Sequence, residues 1–263
     1  MSIEKGLVNL ASYNSGMKKS MMDKMFFMDK VDAHVFVDYG CANGMLIQFL
    51  YNLFPEFEYY GFDISEKMIE EAKVNNPNLE GNFFTDWKKL QNKLINSHGG
   101  QKTAVILSSV IHEVYSYGTI DDVEYFWNRV FGDGFDYIVL REMMPSITMN
   151  KVADINDISK IYRKADRKLL YDFQQTWGSV ENNKNLIHYI LKYQYGDNWD
   201  REVKENYLPI NREQLLSMIP DNYDVVFHEH YILPYLLNQV LKDFGVEIKD
   251  NTHLKLILKR NKL

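Results

Sequence analysis

The segment Val37-Asp38-Tyr39-Gly40-Cys41-Ala42-Asn43-Gly44 sets small residues at alternate positions, Gly40, Ala42 and Gly44, with a carboxylate two residues ahead of the first. Small side chains there let a backbone approach a ligand where a larger Cβ would collide, and glycine accepts the tight turn that joins a strand to a helix. Asp63 follows 19 residues after Gly44. At that separation an acid at the end of the next strand accepts hydrogen bonds from the two hydroxyls of a ribose. Turn and acid together predict a nucleotide-type ligand. The structural alternative is a turn shaped by Gly40 and Gly44, with Asp63 merely capping the next helix.

Two other groupings carry chemical potential. His228, Glu229 and His230 read as strand, so the two imidazoles share a face and suit a metal ion. No third ligand lies near them in sequence, and the reading is metal-independent. Lys160, Arg163, Lys164, Arg167 and Lys168 form the one basic concentration, interleaved with Asp157 and Asp166. It reads as a solvated helix face, with contact to a phosphate-bearing acceptor as the alternative.

The elements that must position the loop follow from periodicity. Short apolar runs at 34–40, 57–64, 81–86, 103–110 and 136–143 alternate with helical spacing at Met45 to Phe54, Ser65 to Val74, Trp87 to Asn96 and Asp121 to Phe131. This is the pattern of βαβ units, and it predicts a Rossmann-like, doubly wound α/β sheet. Residues 145–220 break the rhythm and read as a helical insertion at the carboxyl edge of the sheet, a candidate lid. Two further strands, 223–232 and 252–260, flank a short helical piece from Pro234 to Phe244; with no room for a crossover, the final strand is expected to be antiparallel. The division is an N-terminal helical segment at 1–33, a core domain at 34–144, the insertion at 145–220 and the last core strands at 221–263.

Composition narrows the classes. A chain of 263 residues with 46% hydrophobic and 25% charged residues is globular, and it has one cysteine, Cys41, so no internal disulfide. That and the lack of a signal-like start predict a cytoplasmic protein. No apolar run reaches the roughly 18 residues of a bilayer span. A formal charge of -6 argues against broad attraction to nucleic acid without excluding a local contact.

The segment VDYGCANG resembles motif I of class I S-adenosylmethionine-dependent methyltransferases, with Ala42 in place of the usual middle glycine. GFDIS with EKMIEEAK resembles the family's next motif, FTDW at 84–87 the third, and SSVIHEV at 108–114 the fourth-strand motif of many small-molecule methyltransferases. The resemblance implies S-adenosylmethionine as cofactor and S-adenosylhomocysteine as product. It implies Asp38 on the methionine amino group, Gly40, Ala42 and Gly44 forming the close-approach turn, and Asp63 on the ribose. Ile64 would pack on the adenine, Asp86 accept from its amino group, Trp87 cover its face, and Ser108 line the methionine side.

A helix from Ser12 to Lys30 would cover the cofactor, with Tyr13 closing over the pocket and Lys18, Lys19 or Lys24 near its carboxylate; an amphipathic helix with a methionine core stripe is the alternative. An acceptor that must lose a proton would find His112 and Glu113 nearest, and Arg141 and Glu142 would hold a charged acceptor or pair with each other. The partner is expected to be an unidentified small or medium-sized molecule enclosed under the insertion, where Trp177, Tyr189, Tyr193, Tyr195, Trp199 and Tyr207 crowd. A nucleic-acid methyltransferase, a noncatalytic cofactor-binding module and a nucleotide-dependent oxidoreductase are the competing readings.

Overall fold

The computed structural model describes residues 20–97 and 99–261. Tyr13, Lys18 and Lys19 lie outside them. Seven strands form one sheet in the order β3-β2-β1-β4-β5-β7-β6: β1 Val35–Tyr39, β2 Glu58–Phe62, β3 Phe83–Phe84, β4 Thr103–Ser108, β5 Tyr137–Met143, β6 Tyr223–Tyr231 and β7 His253–Arg260. The first five run parallel, and β7 inserts antiparallel between β5 and β6. The expected final reversal is therefore present. The third strand shrinks to two residues because Pro77–Asn82 winds a 3-10 turn ahead of it.

The helices are α1 Met21–Lys24, α2 Met45–Leu53, α3 Glu66–Asn75, α4 Trp87–Ser97, α5 Ile111–Tyr117, α6 Ile120–Gly132, α7 Ile155–Lys164, α8 Arg167–Trp177, α9 Asn183–Lys192, α10 Trp199–Glu202, α11 Arg212–Ser217 and α12 Pro234–Phe244. Side-chain caps set several of their starts: Ser65 accepts from Met68 N for α3, and Thr119 with Asp122 forms a capping box for α6. Both sheet faces are covered, which is why β1 and β4 are apolar throughout their middles. One apolar cluster joins Val35, Val37 and Val105 to Leu90, Phe126 and Trp127. The other face joins Phe36, Ala104 and Ile106 to Phe27, Ile47 and Leu50.

The insertion has a core of its own. Ile161, Phe173, Leu186, Ile190 and Trp199 pack together, and Val240 and Phe244 of α12 join them. Between residues 155 and 177 the insertion forms two helices that part at Ala165, because Asp154 and Asp166 each cap a start. Their basic residues are partly paired: Lys160 meets Asp157 at 3.2 Å and Lys168 meets Asp172 at 2.8 Å. Among the described residues no helix is long and apolar enough to cross a membrane.

Candidate active site

Strand order reverses between β1 and β4, and the crevice at their carboxyl ends is where ligands bind on such sheets. The loop after β1 fills that crevice with backbone. Gly40 and Gly44 have φ of +77° and +72°, and Ala42, at +45°, shares the left-handed region despite its Cβ. An added Cβ at Gly40 would lie 2.6 Å from Val110 Cγ2, so glycine is required by space as well as by torsion. Gly44 faces away: a Cβ there would meet Asn76 Nδ2 at 2.7 Å and Ala72 Cβ at 3.0 Å, which makes it a packing glycine at the start of α2.

Asp63 fixes the loop. One carboxylate oxygen accepts from Ala42 N at 2.9 Å, the other from Ser65 N at 2.9 Å. Asp38 lies buried beneath, where burial, reinforced by the charge of Asp63, pushes its carboxyl up to about 7 against the pull of Lys24. Lys24 is itself buried, and burial with the repulsion of Arg141 brings its ammonium down to about 8. Two adjacent buried carboxylates under a glycine turn suit a cation, not the pyrophosphate that an anion-binding helix end would take.

Two cavities share Gly40, Val110 and Glu113. The larger, about 710 Å³, is bordered by Asp63, Ile64, Asp86, Trp87, Tyr117 and Tyr125. Ile64 stands 58% exposed at its lip. Asp86 is exposed and caps α4, accepting from Lys88 N at 2.9 Å and Lys89 N at 3.3 Å. Trp87 departs from its expected place over a ring face. Its indole donates to Asp133 at 2.6 Å and packs against Tyr39 and Phe62, so it is floor, not cover.

The smaller cavity, about 130 Å³, lies between the sheet edge and the insertion. Ser108, His112 and Arg141 face Tyr195, Arg201 and Glu205 across it. His112 is the second residue of α5, a helix whose N-cap residue supplies no side-chain hydrogen bond. Glu142 on β5 supplies one from a distant strand: its carboxylate accepts from Ile111 N at 2.8 Å and Met143 N at 2.8 Å and meets His112 Nδ1 at 3.0 Å. Glu142 was expected to touch an acceptor. It is instead 1% exposed, borders neither cavity and holds the imidazole, leaving Nε2 as the ring nitrogen it does not engage.

Burial pushes His112 down, but the charge and hydrogen bond of Glu142, with Glu205 and Glu113 behind, outweigh it and hold the imidazole at about 9. Burial and Glu205 raise Glu113 to about 8. Arg141 does not pair with Glu142, because neighbours on a strand point to opposite faces; it binds Asp23 at 2.9 Å and Ser109 Oγ at 3.0 Å.

Sequence reasoning missed the far wall. Arg201 reaches Glu113 at 3.4 Å, Glu202 at 2.9 Å and Glu205 at 2.9 Å. Lys192, 0% exposed, donates to the carbonyls of Glu202 and Glu205 and lies 4.1 Å from the Tyr207 ring centroid. The one available signal was a lysine, Lys192, directly continuing the run Leu186 to Leu191 at the end of α9. His112, Glu113 and Glu205 bring ligand-type atoms within 4.8 Å of one another, but Arg201 already lies against both carboxylates. On β6, His230 meets Met144 O at 2.9 Å and Arg212 at 3.4 Å.

A glycine turn at the β1 crevice, carboxylates at the ends of β1 and β2, and a reversed last strand define a Rossmann-like methyltransferase fold. Residues 37–144 match the family described as "Methyltransferase domain". Residues 37–144 thus carry a methyltransferase domain, and the cofactor such a domain uses is S-adenosylmethionine. Among solved structures it is similar to the PH0226 protein from Pyrococcus horikoshii OT3, at 13% identity over 97% of this chain and 93% of that one, TM-score 0.50. It is also similar to a SAM dependent methyltransferase from Archaeoglobus fulgidus (14% identity, 92% and 94% covered, TM-score 0.44). A third is the plantazolicin methyltransferase BamL in complex with a triazolic desmethylPZN analog and SAH (14% identity, 96% and 86% covered, TM-score 0.45). Likeness at such identities concerns the fold. No protein of curated function matches the chain in sequence.

Proposed function

We propose that the chain methylates a small or medium-sized acceptor held in the smaller cavity, with the adenosine of the cofactor in the larger one and His112 as proton acceptor. The observation that carries this reading is the pair of cavities meeting at Gly40, Val110 and Glu113, one beside Asp63 and the other beside His112. When bound, S-adenosylmethionine supplies an electrophilic methyl group on a sulfonium. Asp63 takes the ribose with the lone pairs that Ala42 N and Ser65 N leave over, and Ile64 packs on the adenine from the lip. Asp86 accepts from the adenine amino group, Asp38 compensates positive charge from below, and Lys24 meets the methionine carboxylate.

His112, turned by Glu142, accepts the acceptor's proton at Nε2, and Glu113 beside it receives or relays it. The insertion roofs the smaller cavity through Tyr195, Arg201 and Tyr207 and keeps water from it. Near-attack alignment in such an enclosure contributes roughly 7 to 11 kcal/mol to methyl transfer.

Calorimetry with S-adenosylhomocysteine tests the cofactor half. The parent is expected to bind it, and Asp63→Ala to lose on the order of 2 to 3 kcal/mol through charge-assisted hydrogen bonds to ribose and loop. Equal affinity in both proteins would remove Asp63 from the site.

A further inference from the structure

Arg141 is a buried, anchored cation of the smaller cavity with one nitrogen left over. It is 4% exposed, its Nε is held by Asp23 at 2.9 Å and its Nη1 by Ser109 Oγ at 3.0 Å, while Nη2 is buried with no hydrogen-bond partner among the described residues. The hydroxyl of Ser108, one residue before Ser109 and on the wall of the same cavity, is likewise buried and unpartnered. Buried donors are normally satisfied; Arg201 Nε on the far wall is also unpartnered but sits among three carboxylates, whereas the two orphans on the register partners Ser108 and Arg141 mark a place where a ligand supplies the acceptors.

The surroundings hold this arrangement in place. Ser109 has φ of +59°, a strained torsion for a non-glycine residue, and from there its Oγ reaches Arg141 Nη1. Asp23, the counter-ion of Arg141, is shared with Lys255 at 2.7 Å and with the Tyr231 hydroxyl at 2.5 Å, so a single carboxylate serves two cations. The opposite end of the cavity carries Glu113, Glu202 and Glu205 against Arg201. The cavity is thus cationic at β5 and carboxylate-rich under the insertion.

We infer that Arg141 Nη2 and Ser108 Oγ form a seat for a carboxylate on the methyl acceptor, and that the acceptor is a small hydroxy- or amino-carboxylic acid lying between this seat and His112. The inference rests on the smaller cavity being the acceptor site. A planar fork fits a carboxylate better than any other small anion-bearing group of this size. The cofactor's own carboxylate is the other source of the same chemistry. The acceptor is favoured because Arg141 sits on β5, two strands and about 10 Å from the loop strand β1, whereas Lys24 already faces Asp38 beneath that loop. A volume of about 130 Å³ excludes a polymer strand from the seat itself.

The test is calorimetry of 4-hydroxybenzoate, salicylate, 3-hydroxybutyrate and L-tyrosine, each beside its primary carboxamide, on protein with and without saturating S-adenosylhomocysteine. At least one acid is expected to bind the saturated protein about 10- to 100-fold tighter than its amide. Arg141→Gln should erase that preference and leave S-adenosylhomocysteine affinity within about threefold. Ser108→Ala, which leaves the Asp23 ion pair intact, should weaken the acid about threefold to tenfold.

Acids and amides that bind alike, or no acid bound at all, overturn the seat. So does an Arg141→Gln protein that loses S-adenosylhomocysteine but keeps its decarboxylated analogue, since the seat would then belong to the cofactor. A parent that binds an acid through Arg141 yet never binds S-adenosylhomocysteine would sink the cofactor reading and spare the seat.

Discussion

The two cavities are built from different materials. The larger one is framed by backbone: positive φ at Gly40, which both cavities share, and Asp63 accepting from main-chain amides within 21 residues of itself. The smaller one is framed by buried charge drawn from distant segments, with Glu142 holding His112 across 30 residues and Arg201 reaching Glu113 across 88. A backbone cradle suits a ligand that is the same in every turnover. Buried ionic groups are costly and pair-dependent, which suits a wall that must recognise one particular acceptor and hold a proton.

The largest effect should come from the charged side. His112→Ala is expected to lower methyl transfer about 10²- to 10⁴-fold while S-adenosylhomocysteine affinity stays within about threefold. A collapse of both together would mean that the two cavities act as one. In the parent, the rate should rise with pH up to about 9, because the base works only after losing its proton. Glu142→Gln removes the strongest of the charges that oppose burial, so His112 falls and the acid limb moves down with it.

Stability checks the same pair. A histidine raised in the folded state stabilises below its unfolded value near 6.5, and that contribution is lost as pH climbs through about 9. Glu142 is held below its ordinary range, despite burial, mainly by the charge of His112; its contribution is present above the unfolded value and lost as pH falls. Thermal melts of the parent should therefore decline between about pH 6.5 and 9. In Glu142→Gln that decline should vanish, at an overall cost of about 2 to 3 kcal/mol for a broken buried pair.

The contrast also explains what could be read from the sequence. The glycine turn, Asp63, the Ser65 cap and all seven strands, the third shorter than expected, are local features whose periodicity or spacing survives in a one-dimensional string. The roles of Glu142 and Trp87 were not local. Glu142 caps a helix begun 31 residues earlier, and Trp87 finds its hydrogen bond at Asp133, 46 residues on. Helix α5 itself escaped notice for the same reason, since its cap comes from β5. Beyond the lysine that ends the run of α9, the Arg201 and Lys192 network left no trace in the string, because nothing in a helical insertion says which of its charges will face the sheet.

On the backbone side, Gly40→Ala should act mainly on binding. The added Cβ meets Val110 and asks alanine to hold φ of +77°, which costs roughly 1 to 2 kcal/mol for torsion before any clash is counted. Calorimetry should show at least a tenfold loss of S-adenosylhomocysteine affinity. An unchanged Kd would show that the loop does not touch the ligand.

Ile64→Ala offers the finest separation between the two halves. The side chain is 58% exposed on the lip of the larger cavity, so shortening it removes little packing, and stability should stay within about 0.5 kcal/mol of the parent. Against a bound ring the same atoms become buried, and deleting them forfeits part of about 0.8 kcal/mol per methylene, or roughly threefold to tenfold in affinity. No residue of the charged wall allows this clean division. Arg201, Glu202 and Glu205 are all 5% exposed or less and pair with one another, so any substitution there changes folding and recognition at once. If Ile64→Ala altered the melting temperature but not the Kd, the lip would be core like the rest, and the larger cavity would lose its claim to an exposed, ligand-covered edge.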